Sequence, residues 1–423
     1  MDKTMLIACH ECDFLQAITP LPDGGAARCA RCNAVLYKRS PATFSRALAY
    51  TLAAAVLFAI ANCFPIFGFR LHETLVETTL LGASSSLYAE GMWPIAGLVL
   101  VTTLFMPALN IAAMIYLLLP LHLGRIPQRP EQALGVLRHI APWGMIEVLV
   151  LAMLVALVKL QHIAEVIPGV GIGAFVALMV LLAAATAAFS SPEIWARIES
   201  PPAHLSISHA VWSASTGTTA ARAGLAACQL CGVLSKRVAT HASNGTCSRC
   251  GAVLHLRKPD SLTRTWAFLL AAAILYMPAV LLPVMMTSTL FGAQSDTILS
   301  GVLFLWNSGS WSLAVIVFIA SILVPILKIL SLAFLAWTTQ LRSPLNAHGR
   351  TRIYRLVEFV GRWSMLDIYV ITILVAFVQI GEVAKIDAGP GAIAFGAVVL
   401  LTMFASLSFD PRLIWDAVEL DGE

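Results

Sequence analysis

The sequence predicts an all-α polytopic membrane protein, made of two bundles of four transmembrane helices that repeat in parallel along the chain. Three observations predict this fold: the composition, the grouping of the apolar segments, and two cysteine clusters. Of the 423 residues, 59% are hydrophobic and only 12% are charged, whereas soluble proteins carry about 25% charged residues. Such a chain is expected to bury its apolar surface in lipid.

The remaining composition excludes several classes of function. The net charge of +4 is small for this length and gives no indication of a nucleic-acid partner. The sequence contains no GxxxxGK[ST] loop, no HExxH and no GxSxG motif, so nothing indicates nucleotide hydrolysis or hydrolase chemistry. We therefore expect a protein that is not an enzyme.

Eight apolar segments approach or exceed the roughly 20 residues that cross a hydrocarbon core. They form two groups of four, and each is predicted to be a transmembrane helix. The segments are 48–69, 93–121, 143–166 and 171–189 in the first half, and 266–285, 311–338, 363–380 and 391–409 in the second.

Basic residues predict the orientation, because cytoplasmic loops are enriched in lysine and arginine. They precede the first helix of each half and fill the loop between its second and third helices, whereas the opposite loops are mainly acidic. Both termini and both cysteine clusters are therefore expected in the cytoplasm. The basic residues are Lys38, Arg39, Arg46, Arg125, Arg129, Arg138, Arg257, Lys258, Arg264, Arg342, Arg350, Arg352, Arg355 and Arg362.

The two halves are a tandem duplication. Pro107 corresponds to Pro325, and Trp143 with Glu147 corresponds to Trp363 with Asp367. Because each half has an even number of helices, the halves share one orientation, as in parallel repeats. The predicted domains are a zinc ribbon at 1–42, a bundle at 43–199, a cytoplasmic linker at 200–224, a second ribbon at 225–259 and a second bundle at 260–423.

Two pairs of CxxC motifs predict the ribbons. Within each pair, 15 or 16 residues separate the motifs, which is typical of a rubredoxin-like site with four thiolates around one metal. Zinc is the expected metal, and iron is the alternative. The intervening residues, with Gly24 and Gly25 as a turn signal, are expected to form a hairpin. The ligands are Cys9, Cys12, Cys29 and Cys32, then Cys228, Cys231, Cys247 and Cys250.

Ionisable residues inside a membrane usually mark function. Lys328 lies roughly 15 Å inside its predicted helix, and Asp367 at the start of the next helix is its predicted partner. Together with Ser321, Ser364 and Thr402 they are predicted to form a polar transport network. A static ion pair that fixes helix packing is the alternative.

In the first half, Asn110 and Glu147 occupy the positions of Lys328 and Asp367. They are secondary candidates for the same role. Because the charges differ, the expectation is that the second bundle carries the active polar core and that the first serves mainly as scaffold.

The duplicated ribbon-and-bundle architecture, ending in Ser408-Phe409-Asp410-Pro411-Arg412-Leu413-Ile414-Trp415-Asp416, resembles the paraquat-inducible protein A family, especially its LetA (YebS) branch. The resemblance covers essentially the whole chain. It implies a multi-pass protein of a Gram-negative inner membrane. It also implies a separate MCE-domain partner that forms a periplasmic tunnel, and transport of phospholipids between inner and outer membranes. A membrane-bound metal or redox sensor and a passive anchor for the partner are the alternative functions.

Overall fold

The computed structural model describes the whole chain apart from residues 1–5, 23, 39–42, 72–73, 90, 162–164, 190, 199–217, 237–244, 248, 290–291, 310, 344–345, 367, 371, 374–383 and 421–423. Seven helices in the described part are long and apolar enough to cross a membrane. The eighth predicted span, 363–380, lies partly outside the described residues. The chain is a multi-pass membrane protein.

The first half begins with four short strands and continues into a bundle. Its elements are β1 (Leu6–Ala8), β2 (Leu15–Ala17), β3 (Ala26–Arg28), β4 (Val35–Lys38), α1 (Thr43–Cys63), β5 (Phe67–Leu71), β6 (Thr74–Thr78), α2 (Leu80–Ala89), α3 (Trp93–Leu100), α4 (Met106–His122), α5 (Pro130–Ile140), α6 (Ile146–Gln161), β7 (Glu165–Pro168), α7 (Val170–Ala188) and α8 (Ser191–Ile198).

The second half repeats this order. Its elements are β8 (Leu225–Ala227), β9 (Leu234–Lys236), α9 (Ser261–Leu281), β10 (Met285–Thr289), β11 (Gly292–Asp296), α10 (Ile298–Asn307), α11 (Trp311–Phe318), α12 (Val324–Gln340), α13 (Ala347–Gly361), β12 (Ala384–Ala388), α14 (Pro390–Ser408) and α15 (Leu413–Leu420).

Each bundle is organised around its first and last membrane helices. Helix α1 packs along α7 and also contacts α4, and α9 packs along α14 and contacts α12. The outer side of α9 presents Leu270, Ile274, Met277 and Leu281, which are 59–71% exposed. They recur every three or four residues and therefore form one apolar stripe, as expected for a surface in contact with lipid.

One end of the molecule carries the cysteine clusters, and we call it the cysteine face. The N-terminal module (residues 6–38) and the central module (residues 225–258) both lie there. The N-terminal module shares a buried cluster with Leu335, Tyr354 and Trp415 of the second bundle. The central module shares one with Leu117, Leu134 and Trp195 of the first. Each module therefore packs on the bundle that it does not lead into.

The prediction of a hairpin between the two CxxC motifs is wrong for the N-terminal module. Strand β1 pairs with β2, and β3 pairs with β4. Each two-stranded sheet therefore encloses a CxxC motif, and the Gly24-Gly25 segment connects two separate sheets. The metal-binding turns themselves reverse the chain, so no further hairpin is needed.

The opposite end, the sheet face, contains β-structure that the all-α prediction missed. Each bundle carries a three-stranded antiparallel sheet there, in the order β6-β5-β7 and β11-β10-β12. In each sheet, the central strand follows the first helix and one edge strand precedes the last. These sheets hold the helix ends of each bundle together outside the apolar segments.

Glycine allows the last helix of each bundle to begin directly beside this sheet. The amide of Gly389 donates to the Val284 carbonyl at 2.8 Å, and that of Gly169 donates to the Ile66 carbonyl at 2.9 Å. A Cβ atom at Gly389 would lie 2.2 Å from the Pro283 carbonyl oxygen. A residue with any side chain is therefore excluded unless the backbone moves.

The second membrane helix of each half contains a π-helical turn, at Val101–Phe105 and Ile319–Leu323. Each turn is followed by a proline, Pro107 or Pro325. Proline lacks the amide that would bond the carbonyl four residues earlier, so the regular helix pattern is interrupted there. Such π-turns are frequent at functional sites.

We expect Gly389→Ala to lower the stability of the second bundle, because the added methyl group would overlap the Pro283 carbonyl. Overpacking of this kind costs about 1–3 kcal/mol or more. Thermal unfolding of the purified protein would measure the loss. Gly97→Ala is the matched control, since nothing lies within 4 Å of a Cβ atom there. Equal melting temperatures for the two variants would contradict the tight contact.

Candidate metal centres and membrane polar site

The four CxxC turns have the same backbone structure. In each, the residue after the second cysteine has a positive φ of 61–75°, and its amide bonds the carbonyl of the first cysteine at 2.8–2.9 Å. Asparagine, aspartate and glycine adopt this conformation most readily. The four residues are Asp13, Asn33, Gly232 and Gly251.

The turns bring four thiols together in each module. The Cys9 and Cys32 sulfurs are 3.5 Å apart, as are those of Cys12 and Cys29. The sulfurs in each group of four lie within 4.8 Å of one another. These separations are too long for disulfides, which need about 2.0 Å. They fit a tetrahedral ion with metal–sulfur bonds of about 2.3 Å, so each module can hold one metal ion.

The N-terminal module contacts the central module and the segment just before it. The amide of Leu15 donates to the Thr218 carbonyl, and the amide of Ala220 donates to the Asp13 carbonyl, both at 2.9 Å. The Asp13 carboxylate also accepts from Arg257 at 3.0 Å. Arg257 in turn donates to Asp416. The modules and the C-terminal helix are therefore linked by one charged cluster.

The N-terminal module is also bound to α13. Arg355 donates to both carboxylate oxygens of Glu11 and, at 2.8 Å, to the carbonyl of the metal-site residue Cys32. Each module additionally places an arginine over a tryptophan, with Arg31 4.7 Å from the Trp415 ring and Arg249 5.1 Å from the Trp195 ring. Cation–π contacts thus repeat at both junctions.

Asp410 is the buried centre of the junction with the second bundle. It accepts two hydrogen bonds from the Arg412 guanidinium, at 2.8 and 2.9 Å, and one from the Lys258 amide at 3.0 Å. Burial opposes ionisation of this carboxyl, but the Arg412 guanidinium and the backbone amides outweigh it and lower the Asp410 pKa. The Lys258 ammonium group caps α14 by donating to the Leu407 and Phe409 carbonyls.

Lys328 lies within the second bundle and is 3% exposed. Its ammonium nitrogen has no hydrogen-bond partner among the described residues, and it lies 3.1 Å from the position of a Cβ atom on Gly361. A larger residue at 361 would therefore displace the lysine. Asp367, its predicted partner, lies outside the described residues.

The other three predicted network residues are buried. Ser321 donates to the Val317 carbonyl at 2.7 Å, and Thr402 donates to the Val399 carbonyl at 3.0 Å. The Ser364 hydroxyl has no partner in the described part of the chain. The π-turn that contains Ser321 contacts the 3₁₀ segment that contains Ser364. Among these three hydroxyls and Lys328, the described structure shows no mutual hydrogen bond.

The secondary candidates Asn110 and Glu147 line a cavity of about 610 Å³ in the first bundle. Helices α4, α5, α6 and α7 enclose it, and Leu230 of the central module lies at its cysteine-face end. Arg138 and Thr186 are its other polar residues, and the remaining lining is apolar. The first half thus contains a pocket where the sequence predicted scaffold.

Comparison with known proteins gives the same architecture. The family model described as "Paraquat-inducible protein A" matches residues 44–199 and 262–419, which is one match per bundle. The chain belongs to the paraquat-inducible protein A family. This confirms the family resemblance predicted from the sequence. No solved structure matches the chain.

Several relatives of the paraquat-inducible protein A family match nearly the whole chain. The "Intermembrane transport protein PqiA" of Escherichia coli K12 is 34% identical over 97% of this chain and 95% of its own. The "Lipophilic envelope-spanning tunnel protein A" of the same strain is 30% identical over 97% and 91%. The "Probable intermembrane transport protein" of Haemophilus influenzae is 27% identical over 97% and 95%.

The sequence reading of this paraquat-inducible protein A family member missed the junction residues. The terminal stretch that carried the resemblance supplies Trp415, which holds the N-terminal module on the second bundle through Arg31. It also supplies Asp410, which pairs with Arg412 and accepts from the Lys258 amide at the end of the central module. One signal was available: each module has the pattern Cys-x-Arg-Cys in its second turn, and each half ends in a Pro-containing segment with Trp195 or Trp415.

We expect Arg355→Gln to loosen the N-terminal module from α13, because Glu11 then loses its charged partner. Hydrogen bonds to charged groups contribute about 1.5–3 kcal/mol, reduced here because Arg355 is one-third exposed. Hydrogen exchange in residues 6–38 should accelerate. Arg352→Gln, on the exposed side of the same helix, should leave exchange unchanged. Identical exchange in both variants would exclude Arg355 as an anchor.

Proposed function

We propose that this protein is the inner-membrane subunit of a lipid transport system. It passes phospholipids to or from a separate, periplasm-spanning MCE-domain tunnel and so supports outer-membrane lipid homeostasis. The relatives that match almost end to end carry the names of intermembrane transport and envelope-spanning tunnel proteins. The described part of the sheet face holds two three-stranded sheets and short helices, and the proposal therefore assigns the tunnel to a separate chain.

The observation that carries the transport role is Lys328. An ammonium group inside a membrane bundle is costly and is kept mainly where it serves transport. Lys328 is almost fully buried, and its ammonium nitrogen has no hydrogen-bond partner among the described residues, which do not include Asp367. In the proposed mechanism Lys328 and Asp367, with Ser321, Ser364 and Thr402, form a polar path whose charges are rearranged when lipid moves.

The proposed orientation in the membrane rests on the cysteine modules and on nearby basic residues. Four unpaired, buried thiols per module fit a reducing compartment, and the basic residues of α5 and α13 lie on the same face. We therefore assign the cysteine face to the cytoplasm and the sheet face to the periplasm. The tunnel partner would then bind on the sheet face.

Zinc is the proposed metal, one ion per module. Four thiolates in tetrahedral reach suit Zn²⁺, and among the described residues the two four-cysteine clusters are the only groups that could hold a metal ion. In so small a module, metal binding supplies much of the folding free energy. The ion is therefore expected to hold the module in the shape that Arg31 and Glu11 need to reach the bundle.

Elemental analysis of the purified full chain should find two zinc ions per polypeptide. Cys250→Ser should reduce the content to about one, because a three-thiolate site binds zinc more weakly and its ligands belong to a single module. Cys63→Ser is the matched control, since Cys63 is exposed and lies outside both clusters; it should leave two. Iron in place of zinc would refute the assignment.

We expect Lys328→Met to abolish complementation of the envelope defect in a strain that lacks the protein. The melting temperature should stay the same or rise, because the substitution removes a buried ammonium group that has no hydrogen-bond partner among the described residues. If Lys328 were instead half of a structural ion pair, its removal would cost about 3–5 kcal/mol. Thr339→Val is the control: it removes another buried, unpartnered polar group from α12 and should leave complementation intact.

The same variants separate the alternative functions. A passive anchor for the tunnel would tolerate Lys328→Met as well as Thr339→Val. If the protein were a metal or redox sensor, replacing the module cysteines would abolish the response to metal or oxidant. Transport in the absence of that signal would be retained. Complementation measured with and without metal limitation distinguishes these outcomes.

A further inference from the structure

We propose that the cavity of the first bundle is a binding site for one zwitterionic phospholipid, with the phosphate on Arg138 and the headgroup amine on Glu147. The inference rests on the proposed lipid transport and names the substrate class and its place of entry. It assigns a binding role to the half of the chain that lacks the lysine of the transport network.

The size and position of the cavity fit an amphiphile. Its volume of about 610 Å³ lies within the range of roughly 300–1,000 Å³ for ligand pockets. Arg138 and Glu147 lie on either side of the turn between α5 and α6, at the cysteine-face end of the bundle. Met106 and Asn110 of α4 lie about 18–24 Å from the end of that helix at His122. The cavity therefore runs from headgroup depth toward the bilayer centre.

The two charged residues are available to a ligand. Arg138 and Glu147 are both exposed to the cavity, and the described structure shows no hydrogen bond or ion pair for either. They do not bond to each other. An arginine guanidinium binds phosphate through two parallel hydrogen bonds, and a carboxylate accepts hydrogen bonds from an ammonium group. One cation and one anion in one pocket match a headgroup that carries both charges and disfavour a purely anionic one.

The deeper lining suits the rest of a lipid. Met106, Met114 and Met179 present flexible thioether side chains, and Leu182 adds a branched apolar surface. Methionine adapts to irregular apolar ligands, as a site for acyl chains of varied shape requires. Asn110 lies on α4 between Met106 and Met114, where its amide can donate to an ester carbonyl.

The second bundle does not offer the same set of charges. The position of Asn110 is held by Lys328, and that of Arg138 by Glu358. A phosphate at the position of Arg138 would therefore meet a carboxylate in the second bundle. Because the charge is reversed at this position, we place headgroup binding in the first bundle. Lys328 of the second bundle then acts when the bound lipid moves.

The test is photocrosslinking of the full chain in native membranes, with a photoreactive amino acid at Met179 or at Val180. Met179 lines the cavity, whereas Val180 is 57% exposed on the outside of the same helix and samples bulk lipid. Mass spectrometry would identify the attached lipid. We expect Met179 to capture phosphatidylethanolamine in excess over phosphatidylglycerol, relative to the ratio at Val180.

Arg138→Gln should reduce lipid capture at Met179 about tenfold or more, because a charge-assisted phosphate contact is lost, without changing capture at Val180. Glu147→Gln should remove the preference for the amine headgroup while leaving capture. Arg129→Gln, just before α5 and outside the cavity lining, is the control for a change of basic charge and should alter neither. Thermal unfolding confirms that each variant is folded.

Capture at Met179 with the same lipid ratio as at Val180, or no effect of Arg138→Gln, would overturn the site. An unchanged headgroup preference in Glu147→Gln would refute the zwitterionic assignment. These failures are distinct from failure of the proposed function: complementation by the unsubstituted chain would then still report lipid transport, with another entry site. Loss of complementation in Arg138→Gln and not in Arg129→Gln would support the cavity as part of the route.

Discussion

The rest of the structure depends on the attachment of each metal module to the bundle that it does not precede. Four thiols fix the module, and its Cys-x-Arg-Cys turn then places Arg31 on Trp415 or Arg249 on Trp195. Because the N-terminal module crosses to the second bundle and contacts residues 218–220 on the way, the two halves cannot separate without breaking these contacts. On the cysteine face, the two halves are therefore joined both by the polypeptide chain and by the contacts of the exchanged modules.

Backbone contacts hold the helices together at the opposite end of the molecule, the sheet face. Gly169 and Gly389 let the last helix of each bundle start against the strand that leaves the first helix. Both ends of the α1–α7 and α9–α14 pairs are thus fixed, and the π-turns before Pro107 and Pro325 interrupt the helix that lies between them. Movement during transport is therefore expected in α3–α4 and α11–α12, whose regular hydrogen bonding is already broken.

Apolar segment length and composition were sufficient to predict the membrane-spanning parts of the fold. The helix segments, the duplication and the two thiol clusters follow from apolar length and from CxxC spacing, which are local. The sheets on the sheet face were missed because strands such as Phe67–Leu71 and Met285–Thr289 are short and lie at the ends of apolar runs. On one side, each also pairs with a segment about 100 residues away. The exchange of modules between bundles depends on residues such as Arg355 and Trp415, whose partners are set only by the tertiary fold.

The asymmetry between the halves looks different once the cavity is taken into account. The sequence alone made Lys328 the main transport candidate and Asn110 a secondary one, in a bundle expected to serve mainly as scaffold. In the structure, the Lys328 ammonium lies close to Gly361, whereas Asn110 lines a pocket with Arg138 and Glu147, for which the described residues supply no ion pair. In the proposed mechanism, the protein both binds a lipid and rearranges buried charges when that lipid moves. Duplication allows the first bundle to provide the binding cavity and the second to contain the buried lysine. Because each module packs on the bundle that it does not precede, a movement of one bundle is expected to affect the other.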